Sequence, residues 1–344
     1  MSNKLVQAME NVDHEEFKKL VTSENANTKI NDESLLLIAS EKGCIEICKL
    51  LLKYNADVNI ARIETGSTPL YRASYFGRLD VCKLFLEHGA CVDIKCIENV
   101  TPLFIASQNG SLEICKLLLE YGACVNIKCI DNATPLFIAS QNDNLEICRL
   151  LLEHGAEINN TRNNGITPLY IASRQGCLEV CRLLLEHGAE INKTRNNGAT
   201  PLYIASQQGC LEVCRLLLEH GAGVNIIRNT GATPLFIASQ NGHLEVCRLL
   251  LEYKANVNAT SANGSTPFSI ASQTGHQEVY RLLRNFIPDY PTSIEGHQCV
   301  ICFENQRNTI LNCGHIILCR LCSIRIEKCP VCREKITSRN NAIL

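Results

Sequence analysis

Thr-Pro-Leu, or a close variant of it, begins at Thr68, Thr101, Thr134, Thr167, Thr200, Thr233 and Thr266, at a constant interval of 33 residues. A fixed period of this length means that one supersecondary unit recurs. Such a unit cannot bury its apolar face alone and must stack on its neighbours. A degenerate copy begins at Ser34 once one extra residue near Arg62–Thr65 is allowed. A looser copy fills residues 1–33, with Ala8 standing where the others have Ala39, Ala73 and Ala106. The period therefore predicts about nine units across residues 1–285.

Each unit predicts two helices. Threonine caps the free amides of the first helix and proline occupies its first turn, where a missing N–H costs nothing. In the unit that starts at Thr200, Leu202, Ile204 and Ala205 supply an apolar face, and Gly209 ends the helix in a left-handed conformation. Leu211, Val213, Cys214, Leu216 and Leu217 fall at the spacing of a second amphipathic helix, which Gly221 closes. Asp143 stands where the other units have the helix-ending glycine, a mild local cost. A stacked array also needs polar outer faces at its ends. Gln277 and Arg284 replace recurrent leucines in the last unit, and the first carries His14, Glu15, Glu16, Lys18 and Lys19. Pro288 and Pro291 mark residues 286–298 as a short, fairly stiff linker.

A different kind of pattern follows. Cys299, Cys302, Cys313, His315, Cys319, Cys322, Cys329 and Cys332 place eight metal-type ligands in 34 residues. Each C-x2-C knuckle offers two thiolates on one tight turn, and a tetrahedral zinc ion takes four such ligands. Eight ligands make two closed sites with no open position for a substrate, so the reading is two structural zinc ions. A segment of about forty residues buries too little apolar surface to fold alone, and structural zinc contributes about 10–16 kcal/mol in modules of this size.

Composition narrows the classes. Hydrophobic content is 46% and the net charge is −2, which does not point to nucleic acid or a membrane as the primary partner. No apolar run approaches the ~18–20 residues that span a bilayer, and the stretch MSNKLVQAMENVDHEEF lacks the apolar core of a signal peptide. Of 21 cysteines, seven are zinc candidates. Seven more (Cys48, Cys82, Cys115, Cys148, Cys181, Cys214, Cys247) recur near every 33 residues on one helix face, where they read as small buried hydrophobes. A reducing compartment is consistent with this placement, and the expected location is the cytoplasm, or the nucleus.

The 33-residue unit with its T-P-L start resembles the ankyrin repeat. The resemblance implies a mainly α solenoid of helix–turn–helix units with projecting hairpin loops and a concave surface that binds protein. The family's fourth-position histidine is replaced here by Phe104, Phe137, Tyr170, Tyr203 or Phe236, for which aromatic stacking along the array is the expected substitute. On the concave side the candidate substrate contacts are Tyr75, Phe76, Arg162, Arg174, Arg195 and Arg228. Tyr75 and Phe76 read either as an exposed aromatic anchor or as local packing. The recurring Arg162, Arg195 and Arg228 read either as a solvated edge offset by Glu98 and Asp131, or as a site for an acidic peptide.

The string CVICFENQRNTILNCGHIILCRLCSIRIEKCPVCR, with histidine fourth among the ligands, resembles the C3HC4 RING finger, most nearly those of the inhibitor-of-apoptosis and mind bomb type. By that resemblance the C-terminal part is a small zinc-stabilised α+β RING domain at residues 299–335, followed by a tail at 336–344. The sites interleave: Cys299, Cys302, Cys319 and Cys322 hold one zinc, and Cys313, His315, Cys329 and Cys332 hold the other. The implied function is that of a RING-type E3 ubiquitin ligase. The array recruits a substrate, and the RING positions a ubiquitin-charged conjugating enzyme. No covalent ligase–ubiquitin intermediate is expected, since every cysteine after residue 285 is a zinc ligand. Ile301, Ile326 and Pro330 match the family's docking surface for the conjugating enzyme, and Arg333 matches the cation that bridges enzyme and ubiquitin. The plain alternatives are packing within the small core for Ile301 and Ile326, and an ordinary surface charge for Arg333. Ile336, Ile343 and Leu344 are a thin version of the apolar tail through which some related RINGs form homodimers. The rival reading is a non-catalytic adaptor whose RING only assembles partners.

Overall fold

The computed structural model describes residues 2–11, 13–30 and 33–286, together with three short strands at 309–311, 316–318 and 339–341. It divides into two compact units, Met1–Pro201 with Glu219–Gly221, and Leu202–Leu218 with Ala222–Leu344.

The first unit is built from helix pairs. Helices α1 (Ser2–Glu10) and α2 (His14–Leu20) precede a small antiparallel pair, β1 (Lys29–Ile30) and β2 (Glu33–Ser34). Then come α3 (Leu35–Lys42) and α4 (Ile45–Lys53), α5 (Pro69–Tyr75) and α6 (Leu79–Glu87), and α7 (Pro102–Gln108) and α8 (Leu112–Glu120). Two more pairs follow, α9 (Pro135–Gln141) with α10 (Leu145–Glu153) and α11 (Pro168–Gln175) with α12 (Leu178–Glu186). First helices pack on first helices, from α3 through α5, α7 and α9 to α11, and second helices pack on second helices from α2 to α12. The second unit repeats the scheme with α13 (Pro201–Gln208), α14 (Leu211–Glu219), α15 (Pro234–Asn241), α16 (Leu244–Glu252), α17 (Pro267–Gln273) and α18 (Gln277–Arg284). It also contains a three-stranded antiparallel sheet of β3 (Thr309–Leu311), β4 (Ile316–Leu318) and β5 (Arg339–Asn341), in the order β4-β3-β5.

The caps form as the sequence predicts. The hydroxyl oxygens of Thr68, Thr101, Thr134, Thr167, Thr233 and Thr266 each accept from the backbone N–H three residues on, with proline in the first turn. Ser34 does the same for Leu37 in the degenerate copy, at 3.2 Å. From α3 onward, one or two residues after each first helix the backbone adopts a positive φ, for example +75° at Gly209, and Asp143 is forced to +58° where the other units have glycine. An L side chain pays for that region, and aspartate is among the least averse to it.

Within a wider apolar core, each unit from α3 to α16 buries one such leucine, alanine and cysteine, as at Leu103, Ala106 and Cys115, all fully buried. Full burial of a leucine side chain contributes about 1.5–3 kcal/mol. One element of this core is a hydroxyl–thiol ladder. The Ser74, Ser107, Ser140 and Ser239 hydroxyls donate to the carbonyl four residues back at 2.7–2.8 Å. Each also lies 3.6–3.7 Å from the Sγ of Cys82, Cys115, Cys148 or Cys247. Since the serine proton is committed to the carbonyl, the thiol is the donor. Burial pushes these thiols up to about 12. They are core groups, and none of the fourteen described cysteines is in a disulfide.

Candidate functional site

The turns that join successive pairs of the first unit are tight hairpins closed by backbone bonds, such as Cys96 N–H to the Val100 carbonyl and Cys129 N–H to Ala133, both 3.0 Å. The extra residue near Arg62–Thr65 widens the earlier turn, where Arg62 N–H bonds Ser67 instead. Successive tips are tied to each other. Ile97 N–H donates to the Thr65 carbonyl at 2.9 Å, Ile130 N–H to Glu98 at 3.0 Å, and Asn163 N–H to Asp131 at 3.1 Å. Side-chain amides add a second row of ties, from Asn109 to the Tyr75 carbonyl and from Asn142 to the Gln108 carbonyl, both 2.8 Å. The tips are therefore held before any partner arrives.

Between these tips and the first helices lie two cavities of about 480 and 560 Å³. Tyr71, Tyr75, Phe76, Ile97 and Glu98 line the first, and Phe104, Gln108, Ile130, Phe137 and Arg162 line the second. Tyr71 and Glu98 belong to both, so the two are neighbouring lobes of one groove.

The candidate substrate contacts fall in different settings. Tyr75 and Phe76 are 46% and 37% exposed and meet edge to face, with ring centroids 4.9 Å apart. They pack on one another and still face solvent, so both readings of the pair describe part of it. Arg162 is ion-paired to Asp131 and lies over the Phe137 ring at 5.6 Å. A cation, not a neighbouring ring, is thus the partner above Phe137. Arg174 is exposed and Arg195 half-buried. In the second unit Arg228 lies over the Tyr203 ring at 5.9 Å, with its Nε buried and without a hydrogen-bond partner. The strongest ion-pair network was not visible in the repeat pattern. Glu33 binds both Arg72 (2.6 Å) and Arg62 (2.8 Å), Arg72 also pairs with Glu41, and Arg62 with Glu64 at 3.0 Å. Likewise, His88, His154 and His187, which end the second helices, donate from Nδ1 to the carbonyl four residues back at 2.8–2.9 Å and so act as C-terminal caps.

The eight zinc candidates, Cys299, Cys302, Cys313, His315, Cys319, Cys322, Cys329 and Cys332, lie outside the described residues. So do Ile301, Ile326, Pro330, Arg333, Ile336, Ile343 and Leu344. What is described is the strand frame around them. Ile310 pairs with Ile316 and Thr309 with Leu318, so by sequence Cys313 and His315 fall in the connection between two paired strands, and Cys319 directly follows β4. Arg339–Asn341, within the segment expected as a tail, pairs with β3 as a third strand. A donor set of seven thiols and one imidazole, divisible into two groups of four, suits zinc.

Helix pairs at a 33-residue period, with hydrogen-bonded hairpin tips, define a class of repeat protein, and comparison with known families names it. The family model for ankyrin repeats matches residues 5–96, 91–162, 157–228 and 221–290. The chain belongs to the ankyrin-repeat family. It also carries a zinc finger of C3HC4 type, a RING finger, matched over residues 295–339.

Individual relatives are similar over short stretches only. The E3 ubiquitin-protein ligase cblA of Dictyostelium discoideum is 50% identical over 40 residues, 11% of this chain and 6% of that protein. The E3 ubiquitin-protein ligase mind-bomb of Drosophila melanogaster is 40% identical over 43 residues, 12% of this chain and 4% of the relative. The kinesin-like protein KIN-7M, chloroplastic, of Arabidopsis thaliana is 48% identical over 44 residues, again 12% and 4%. The chain thus spans a small fraction of the length of the relatives it matches. Among the described residues no helix is long and apolar enough to cross a membrane.

Proposed function

We propose that the chain is a RING-type E3 ubiquitin ligase, in which the array (residues 1–285) recruits a protein substrate. The RING (299–335), reached through the linker 286–298, positions a ubiquitin-charged conjugating enzyme. The observation that carries this reading is the joining, in one chain, of a protein-binding repeat array to a C3HC4 segment, together with similarity to proteins named as ubiquitin ligases. Cys299, Cys302, Cys319 and Cys322 would hold one zinc ion, and Cys313, His315, Cys329 and Cys332 the other. The ions supply structure and no open coordination position. Ile301, Ile326 and Pro330 form the apolar contact for the conjugating enzyme. Arg333 donates to both enzyme and ubiquitin and holds the thioester in an attack-ready arrangement, so transfer is accelerated by restraint and effective concentration. With the cysteines of this segment bound to metal, ubiquitin passes directly from the conjugating enzyme to a substrate lysine. Free thiols throughout the array suit a reducing compartment, the cytoplasm or the nucleus.

The test is discharge of ubiquitin from a charged conjugating enzyme onto free lysine. The full chain accelerates it, and Ile301→Ala or Arg333→Ala abolishes most of the acceleration while zinc content is unchanged. Similarity to a protein named as kinesin-like favours a second reading, a non-catalytic adaptor. Two bound zinc ions with no discharge across a broad panel of conjugating enzymes would select it.

A further inference from the structure

The arginines of the first unit invite the expectation of an acidic partner, but the ion pairs reverse it around the groove between α5, α7 and the hairpin tips. Arg62 and Arg72 are both committed to carboxylates, Glu33, Glu41 and Glu64. Arg162, at the far end, is committed to Asp131. Glu98 lines both lobes, and among the described residues its carboxylate has no ion-pair partner. The first lobe is lined by two carboxylates (Glu64 and Glu98) and two guanidiniums (Arg62 and Arg72); both guanidiniums are ion-paired and Glu98 is not, so the charge left unpaired at the lobe is negative. Tyr71, like any tyrosine, adds no charge at neutral pH; burial first, and then neighbours that include Glu98, push its phenol further up, to about 12. The same lobe exposes more apolar surface than folding alone requires. Tyr75 and Phe76 stand at its wall, Ile97 at its rim is 60% exposed, and Ile130 in the next tip is 59% exposed. A carboxylate beside aromatic rings is a setting for a cation, which gains from the ring faces and from the charge together. Exposed isoleucines on either side give an apolar neighbour somewhere to pack.

We propose that this groove takes an extended segment of a partner protein carrying a lysine or arginine next to an apolar residue. The cation is seated between Glu98 and the Tyr75–Phe76 pair, and the apolar side chain lies against Ile97 and Ile130. This rests on the reading that the array recruits protein, and it specifies the chemistry recruited. The hydrogen bonds that tie the tips of Thr65, Ile97, Glu98 and Ile130 together pre-form the groove, so little ordering opposes binding.

The test is selection of phage-displayed random dodecapeptides on the full zinc-loaded chain, followed by fluorescence polarisation with the selected peptides. The expected result is enrichment of Lys or Arg beside an apolar residue. Affinity then falls by about tenfold or more in Glu98→Lys and in Tyr75→Ala, and by less in Glu98→Gln. Thermal melts guard against misfolding; Glu98 and Tyr75 are both exposed. Enrichment of Asp and Glu, selected peptides that bind Glu98→Lys unchanged, or no peptide whose binding depends on Glu98 or Tyr75 would overturn the proposal. Lysine discharge is measured on the same protein samples. Peptide binding without discharge counts against the ligase reading alone, and discharge without Glu98-dependent peptides counts against this proposal alone.

Discussion

Residues 2–286 and residues 299–332 hold themselves together by opposite means. From α3 on, the array repeats one modest solution: a first helix of seven or eight residues, a second of eight or nine, and, through α16, a leucine, alanine and cysteine buried in each unit. No single unit could stand alone, and no single side chain decides the whole. On the proposed reading the C-terminal segment would concentrate its stability in eight donor side chains, with strands of only three residues among them in sequence. The difference teaches where each region is vulnerable. Damage to the array should be graded and local, whereas loss of the proposed metal ions from the RING should be all or none.

The largest effect that would break this contrast comes from metal removal. Chelation, or Cys313→Ser, removes a contribution of about 10–16 kcal/mol and unfolds the C-terminal segment. Amide hydrogen exchange should show protection lost there and retained through α7–α12. An array that melts together with the metal would erase the distinction.

Alkaline pH should act on the array instead. The thiols of Cys82, Cys115, Cys148, Cys214 and Cys247 are raised from about 9 to about 12 by burial. Above pH 9 the unfolded chain releases these protons while the folded chain keeps them. The stability they allow is therefore fully present below pH 9 and lost as the pH rises toward 12, at about 1 kcal/mol per thiol by pH 10. Urea melts across pH 8–10 measure the slope, and Cys148→Ala should flatten it by one thiol's share. Leu136→Ala, at a fully buried site, should cost about 2–5 kcal/mol and leave zinc content untouched. Smallest are the chain-reversal sites. Thr134→Ala should cost about 1 kcal/mol through the lost cap, and Asp143→Gly should gain up to about 1 kcal/mol by relieving a φ of +58°. Both are read from melting midpoints.

The contrast also explains what the sequence made legible. Caps and helix ends are written in the identities and spacing of nearby residues, so Thr-Pro and the glycine that ends most first helices could be read directly, whereas the ligand role of the eight C-terminal donors rests on their spacing and the family match. The extra residue near Arg62–Thr65 was equally plain, and it appears as the wider turn from Arg62 to Ser67. Partnerships between units were not legible. Arg72 finds Glu33 at a separation of 39 residues and Arg162 finds Asp131 at 31. Either arginine fits a solvated edge or a binding site until its rotamer is known. The serine–thiol ladder left a signal in the alanine-serine pair eight residues before each helix cysteine, but only geometry shows that the hydroxyl faces the thiol. For the tip arginines the sequence left two readings open, and the solvated one already set Glu98 and Asp131 against them; the structure pairs Arg162 with Asp131.

The claim on which the account turns is that metal builds the C-terminal platform. Native mass spectrometry of the purified full chain tests it most directly. Two zinc ions per chain, lost on chelation together with the compact charge states of the C-terminal segment and with ubiquitin discharge, is the predicted result. A chain that carries one ion or none, yet still discharges ubiquitin, would contradict it.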